Sequence, residues 1–357
     1  MSLFLPCKRN KRTNYQINKI MQQSLTQNEN VDIIDSSKFR YMIDQLSPTS
    51  KVQSINVEKE SEEDPDQELD LETEQDLPEI DRIELSDHLN TFNIKSPLSG
   101  VSRAYYLNLK RSIDRREHME TVISNPIFSN IPVNRIESID GSDPSFNLSD
   151  YIHFKKLNDD INISMKNVEY ATTLSHVKAI HRFVLDVEKN KLSKNSVALI
   201  MEDDVSTEFV QYWPKSLFDL IKEGEKSGSL SKDWEVLQLS YSLFKKIPKG
   251  EPVGALFEPW VMHYCGAIAY LIRYPAAVRF MQFLIGTDDS DKNIYIKNKT
   301  INHQADLMFY EFLRTYTIIP PLFTYRDSND STIHSEHLNS HEISKEWTKR
   351  MWLEYFQ

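Results

Sequence analysis

The stretch Val197-Ala198-Leu199-Ile200-Met201-Glu202-Asp203-Asp204-Val205 constrains this chain more than any other. Five consecutive apolar residues behind polar Lys194-Asn195-Ser196 predict a strand buried on both faces of a parallel sheet. Three carboxylates follow where that strand should stop. Adjacent anions repel one another and are not buried without a cation: a divalent metal, a Lys or Arg, or solvent with its counterions. In open α/β sheets, ligands bind beyond the carboxyl ends of the strands. A Glu-Asp-Asp there can hold Mg²⁺ or Mn²⁺ against a phosphate, since hard cations take oxygen ligands. The alternative is an acidic strand end with a helix N-cap.

The 357 residues allow one large domain or two small ones, and a hydrophobic content of 39% with mean hydropathy −0.51 leaves part of the chain unpacked. Charge says which part. Residues 58–87 carry 15 acidic against 2 basic side chains, residues 1–57 are net basic, and the remainder is close to neutral. Residues 1–97 are therefore expected to be a disordered, low-order extension with an acidic segment at 58–87, and residues 98–357 a single catalytic domain. Leu69, Leu71, Leu77 and Ile80 interrupt the acidic run and would let it recruit an unknown partner. A near-neutral body offers no footprint for nucleic acid. No apolar run approaches the roughly 18 to 20 residues of a transmembrane segment. Met1 to Cys7 is too short, and too soon followed by Lys8-Arg9-Asn10-Lys11-Arg12, for a signal peptide. With only Cys7 and Cys265 there is neither a disulfide framework nor a Cys-based zinc site, so a cytoplasmic protein is expected.

From residue 104 to about 320 strand and helix patterns alternate, which predicts one α/β domain with a mostly parallel sheet. Ala104 to Leu109 reads as the first strand, followed by a turn carrying Lys110, Arg111, Arg115 and Arg116 and a helix capped by Ser112 or Asp114. Donors beside a helix N-terminus suit an anion such as a diphosphate. Pro132 to Ile139 reads as a second strand ending in the Asp140-Gly141 turn, and residues 142–168 as a loop. Thr172 to Glu188 reads as a helix with Ser175 and His176 near its start. Phe209 to Leu220 reads as a further helix, Trp234 to Leu239 and Gly266 to Ile272 as strands, Ala276 to Ile285 as a helix behind Pro275, His303 to Tyr310 as a helix, and Tyr316 to Ile319 as the last strand.

Five blocks in this order resemble glycosyltransferase family 25, the group of lipooligosaccharide and procollagen galactosyltransferases. They are Tyr106 to Arg116, Val168 to His176, Leu199 to Val205, Gly266 to Ile272 and Asp306 to Phe309, and the likeness spans roughly residues 103–335. Val168, Thr172 and Arg273 depart from residues common in the family. The resemblance implies a GT-A type, Rossmann-like fold and transfer of a hexose, galactose or glucose, from a UDP-sugar to a glycan or protein hydroxyl, with inversion. It implies Mn²⁺ or Mg²⁺ held by Glu202 and Asp204, Asp306 as the catalytic base, and Asn108, Arg111, Arg115, Ser175, His176 and Asp203 around the nucleotide sugar. Asp203 is expected to point away from the metal if the strand continues through it. His334 and His337 are candidates to close the metal site. Two other classes use similar parts: a metal-dependent phosphoryl-transfer or hydrolytic enzyme, and a non-catalytic carbohydrate-binding relative. Retention of Glu202, Asp204 and Asp306 together speaks against the latter.

Overall fold

In the computed structural model, residues 94–153, 165–243, 256–262, 264–287, 294–297, 303–326 and 338–356 are described, all within the unit Glu79–Gln357. Most of the expected extension, including its acidic segment, lies outside them, as do His334 and His337. The elements are β1 (Arg103–Asn108), α1 (Ile113–Ser124), β2 (Val133–Glu137), α2 (Asn167–Lys189), β3 (Val197–Glu202), β4 (Val205–Ser206), α3 (Leu217–Ser227), β5 (Val236–Gln238) and β6 (Ser242–Leu243). They continue with β7 (Phe257–Pro259), β8 (Tyr264–Cys265), β9 (Ala269–Arg273), α4 (Tyr274–Phe283), β10 (Ile285–Thr287), β11 (Ile294–Ile296), α5 (Ala305–Phe312), β12 (Thr315–Ile318), β13 (Thr324–Tyr325) and α6 (Leu338–Phe356).

Among the described residues seven strands form one sheet in the order β2-β1-β3-β9-β5-β12-β7. β1, β2, β3, β5 and β12 run one way, while β9 and the edge strand β7 run the other. The strand expected at Gly266 to Ile272 thus begins later and is antiparallel. Gly266, at φ +106°, supplies the left-handed turn that leads the chain back into the sheet. β3 is covered on both faces, as its apolar run requires: Leu199 and Met201 face one core, Ala198 and Ile200 the other. The first core draws on α1, α3 and α6 and the second on α2, α4 and α5, so helices cover both sides of the sheet.

Several local expectations shift for identifiable reasons. The helix expected over Phe209 to Leu220 is divided by Pro214 into a short 3₁₀ turn, Glu208–Tyr212, and α3, whose N-cap Ser216 accepts from the Asp219 N–H at 3.2 Å. α2 starts at Asn167, five residues before the expected Thr172, because the Glu169 carboxylate reaches back to the Lys166 N–H. Neither the Ser112 side chain nor that of Asp114 caps α1; Asn108 Nδ2 donates to the Ser112 carbonyl at 3.0 Å, which braces the turn without serving the first N–H groups of the helix. α6 was not expected, yet it buries Met351, Trp352 and Leu353, with Trp352 Nε1 donating to the Pro321 carbonyl at 3.0 Å. Packing already begins at Ile94 and Leu98. Among the described residues no helix is long and apolar enough to cross a membrane.

Candidate active site

The chain leaves β1 through α1 to β2 on one side and returns through α2 to β3 on the other. Such a switch point parts the connections at the carboxyl ends of neighbouring strands. A cleft of about 70 Å³ opens there, its lining including Arg111, Arg115, Asp140, Ser175, Glu202 and Asp203.

β3 stops at Glu202 and does not run through Asp203, so strand alternation no longer decides where that side chain points. Asp203 and Asp204 occupy a turn and both face Arg115. Arg115 Nη1 lies 2.7 Å from Asp203 Oδ1 and 3.5 Å from Asp204 Oδ2, and the Arg115 and Asp203 side chains are only 8% and 9% exposed. Asn108 works as a hub. Its Nδ2 donates to Asp203 Oδ2 at 2.7 Å, while its Oδ1 accepts from Arg135 Nε at 2.9 Å and Arg116 Nε at 3.2 Å. Arg111 pairs with Asp140 at 2.6 Å on the rim, and that hydrogen bond holds the Asp140 carboxyl below its usual range. Asp140 was legible only as part of an Asp-Gly turn. Gly141 beside it is required sterically, since a Cβ there would meet the Asn167 carbonyl oxygen at 2.4 Å.

Ser175 and His176 hold the frame. Ser175 Oγ donates to the Ala171 carbonyl at 2.7 Å and accepts from the Ile139 N–H at 2.9 Å, tying the segment after β2 to α2. His176 is fully buried, and desolvation lowers its pKa to about 4 against the opposing charge of Asp306. It is neutral at pH 7. Burial keeps the Tyr270 phenol protonated, so Tyr270 donates to Nδ1 at 3.2 Å. Nε2–H then donates to Glu202 Oε1 at 3.0 Å and fixes that carboxylate.

The acids themselves are held under strain of charge. Burial first, then the charge of Asp203, raises the Glu202 carboxyl to about 7, with Arg115 opposing. Burial first, then Glu202, raises Asp204 to about 7 as well. Among the described residues Asp204 Oδ1 is buried with no hydrogen-bond partner. An orphaned acceptor beside carboxyls pushed toward protonation is the donor chemistry that a hard divalent cation satisfies. Among the described residues no three His, Cys, Asp or Glu are gathered closely enough to hold a metal by themselves. Sites of the Mg²⁺ kind use one or two carboxylates and take further ligands from water and substrate phosphate, so the residues present fit.

Asp306 lies half-buried in the first turn of α5. Its charge acts on the buried Tyr325 phenol, as do those of Glu202 and Asp204, but neither Asp306 nor Asp204 is among the residues that line the cleft. Tyr325 arrives through β13, which pairs antiparallel with β4 directly after the acid turn. Its hydroxyl bonds Ser242, and its ring stacks on His341 of α6 at 3.8 Å. Arg326 follows, its N–H donating to the Asp204 carbonyl at 2.7 Å. Tyr325 and Arg326 carried no sequence signal, because a two-residue strand shows no periodicity.

A family model described as Glycosyltransferase family 25 (LPS biosynthesis protein) matches residues 102–289. No curated protein matches the chain. Among solved structures, a glycosyltransferase involved in the glycosylation of the major capsid of PBCV-1 is similar at 11% identity and a TM-score of 0.28, covering 67% of this chain and 98% of that one. A superposition that loose carries no weight here.

Proposed function

Because the chain belongs to glycosyltransferase family 25, we propose that it moves a hexose, galactose or glucose, from a UDP-sugar to a hydroxyl of a glycan or protein, inverting the anomeric centre on a GT-A type fold. The observation that carries this reading is a switch-point cleft lined by Arg111, Arg115, Glu202 and Asp203, with Asp204 and Asp306 acting beside Glu202 on the Tyr325 phenol.

In this reading Asp306 takes the proton of the acceptor hydroxyl. The freed oxygen pair forms the bond to the anomeric carbon while the bond from that carbon to the diphosphate breaks, its electrons leaving with the diphosphate. Glu202 and Asp204 would hold Mn²⁺ or Mg²⁺, which supplies Lewis-acid neutralisation of the diphosphate when bound. His176, ordered by Tyr270, keeps the Glu202 carboxylate aimed. Asn108 and Asp203 lock the Arg115 turn, and Arg111 with Asp140 forms the rim over the nucleotide.

A thermal-shift screen of nucleotide sugars with and without Mn²⁺ tests the donor half, because a bound donor raises apparent stability by mass action. UDP-galactose or UDP-glucose is expected to raise Tm only with the cation present. Asp306→Asn tests the other half: donor binding persists while transfer falls about 10²-fold or more. Normal turnover with weakened donor affinity would make Asp306 a binding residue instead.

A further inference from the structure

We propose that Asp140 reads the ribose of the nucleotide sugar, its carboxylate accepting the 2′- and 3′-hydroxyls while Arg111, its partner at the cleft mouth, turns to the diphosphate. The inference rests on the donor reading above and adds to it the recognition of the nucleoside end.

The direction in which the donor lies follows from the sheet order. Glu202 and Asp204, the proposed cation ligands, stand at the carboxyl end of β3 and just beyond it. Asp306, the proposed base, opens α5, which packs over β9 with the Phe309 ring 4.7 Å from that of Tyr270. β9 and β1 are the two neighbours of β3. The anomeric carbon has to lie between the cation and the base, so the nucleoside extends the other way, over β1 toward β2. Asp140 stands there. It is the third residue beyond β2 and lines the same cleft as Glu202 and Asp203.

A carboxylate has no proton to donate and repels phosphate, so one that lines a diphosphate site needs a partner rich in donors. Uracil offers one N–H between two carbonyls that oppose a carboxylate, whereas the ribose diol offers two adjacent O–H groups, one for each oxygen. Asp203, the acid nearest in the cleft, is already engaged: Oδ1 meets Arg115 at 2.7 Å and Oδ2 accepts from Asn108 at 2.7 Å, both deep in the protein. Asp140 is held differently. Its Oδ2 accepts from Arg111 Nε at 2.6 Å, yet the Arg111 side chain is 54% exposed, and an exposed ion pair changes partners at little cost. The place of the carboxylate does not depend on that pair. The Ile139 N–H donates to Ser175 Oγ at 2.9 Å, Gly141 leaves no room for a Cβ against the Asn167 carbonyl, and the Ser142 N–H donates to Asp140 Oδ1 at 3.0 Å. Arg111 can therefore move to phosphate while Asp140 stays aimed at the diol.

The test is calorimetric titration of UDP, and of 2′,3′-dideoxyuridine diphosphate as a probe lacking the diol, into the full-length protein with Mn²⁺. Wild-type protein is expected to bind UDP about tenfold or more tightly than the dideoxy probe, because the latter leaves the carboxylate without the donors it faces. Asp140→Ala should bring the two affinities within about twofold of each other. The ratio is the readout, since releasing Arg111 changes phosphate binding equally for both probes. Arg111→Gln should weaken both probes and keep the wild-type ratio, as expected of a group that meets phosphate alone. Equal binding of the two probes by wild-type protein overturns the proposal and needs no variant to fold. So does a wild-type ratio in Asp140→Ala, or a ratio lost in Arg111→Gln. Wild-type protein that binds neither probe refutes the donor reading itself, a result distinct from these.

Discussion

Asp204→Asn removes one charge from the acid turn while keeping its shape. Folded Asp204 titrates at about 7 instead of 3.8, so at pH 8 ionising it in the fold costs about 4 kcal/mol relative to the unfolded chain. Its side chain is 14% exposed, so solvent screens little of this. The new amide has donors of its own to satisfy, which takes back about 1–3 kcal/mol. The expected net gain for the metal-free variant at pH 8 is about 2 kcal/mol, or roughly 5 °C in Tm. The sign follows from proton uptake. Below about pH 4 the carboxyl is protonated in both states and costs nothing. Between about 4 and 7 the unfolded chain ionises first, the folded protein holds more protons, and wild-type stability falls as pH rises. The variant lacks this slope, so the gap should open from near zero at pH 4 to its full value by pH 8. Thermal or urea unfolding in EDTA across that range measures it. Adding Mn²⁺ should reverse the order at pH 8, since only the wild type keeps both carboxylates. A variant less stable than wild type at pH 8, or a gap independent of pH, would refute the reasoning and give the Arg115 contact at 3.5 Å the larger share.

Gly141→Ala is expected to lower Tm by several degrees and to weaken donor binding, because its Cβ would collide with the Asn167 carbonyl and push the cleft rim away from α2; an unchanged Tm counts against that contact. His176→Phe leaves Glu202 Oε1 and the Tyr270 hydroxyl without their shared partner, so Mn²⁺ affinity should fall about tenfold or more and stability by about 2–4 kcal/mol. His176→Gln should restore part of both, as followed by titration calorimetry and urea melts; equal loss in the two variants would mean that only packing matters there.

What the sequence disclosed follows from which forces act locally. β3 was legible because burial on both faces demands an unbroken apolar run, and α2 because a stripe at helical spacing has few other uses. The direction of β9 was not, since an antiparallel strand buried on both faces has the same composition as a parallel one. α6 escaped notice because its buried stripe, Ser344, Thr348, Met351 and Trp352, is polar at its first two positions, which hides the helical spacing from an apolar pattern. In the site, the acid cluster was visible as chemistry, and strand alternation gave no guide to Asp203 because β3 ends at Glu202. That the charges of Asp306 and Glu202, about a hundred positions apart, both act on Tyr325 depends on tertiary structure that no local pattern records.

These features form one electrostatic device. The acid turn is costly to keep ionised, and Arg115 lessens the cost without cancelling it, since Glu202 and Asp204 still sit near pH 7. Neutral His176 contributes a hydrogen bond to Glu202 but no charge, so it orients the carboxylate without competing with a cation for it. A turn fully neutralised by the protein's own side chains would be more stable and would have no affinity left for a cation. In the proposed reading, partial neutralisation leaves a free-energy debt that cation binding would release, so stability and cation affinity should move in opposite directions across variants of Asp204. Variants that gained both together would show that the acids are held for the fold alone.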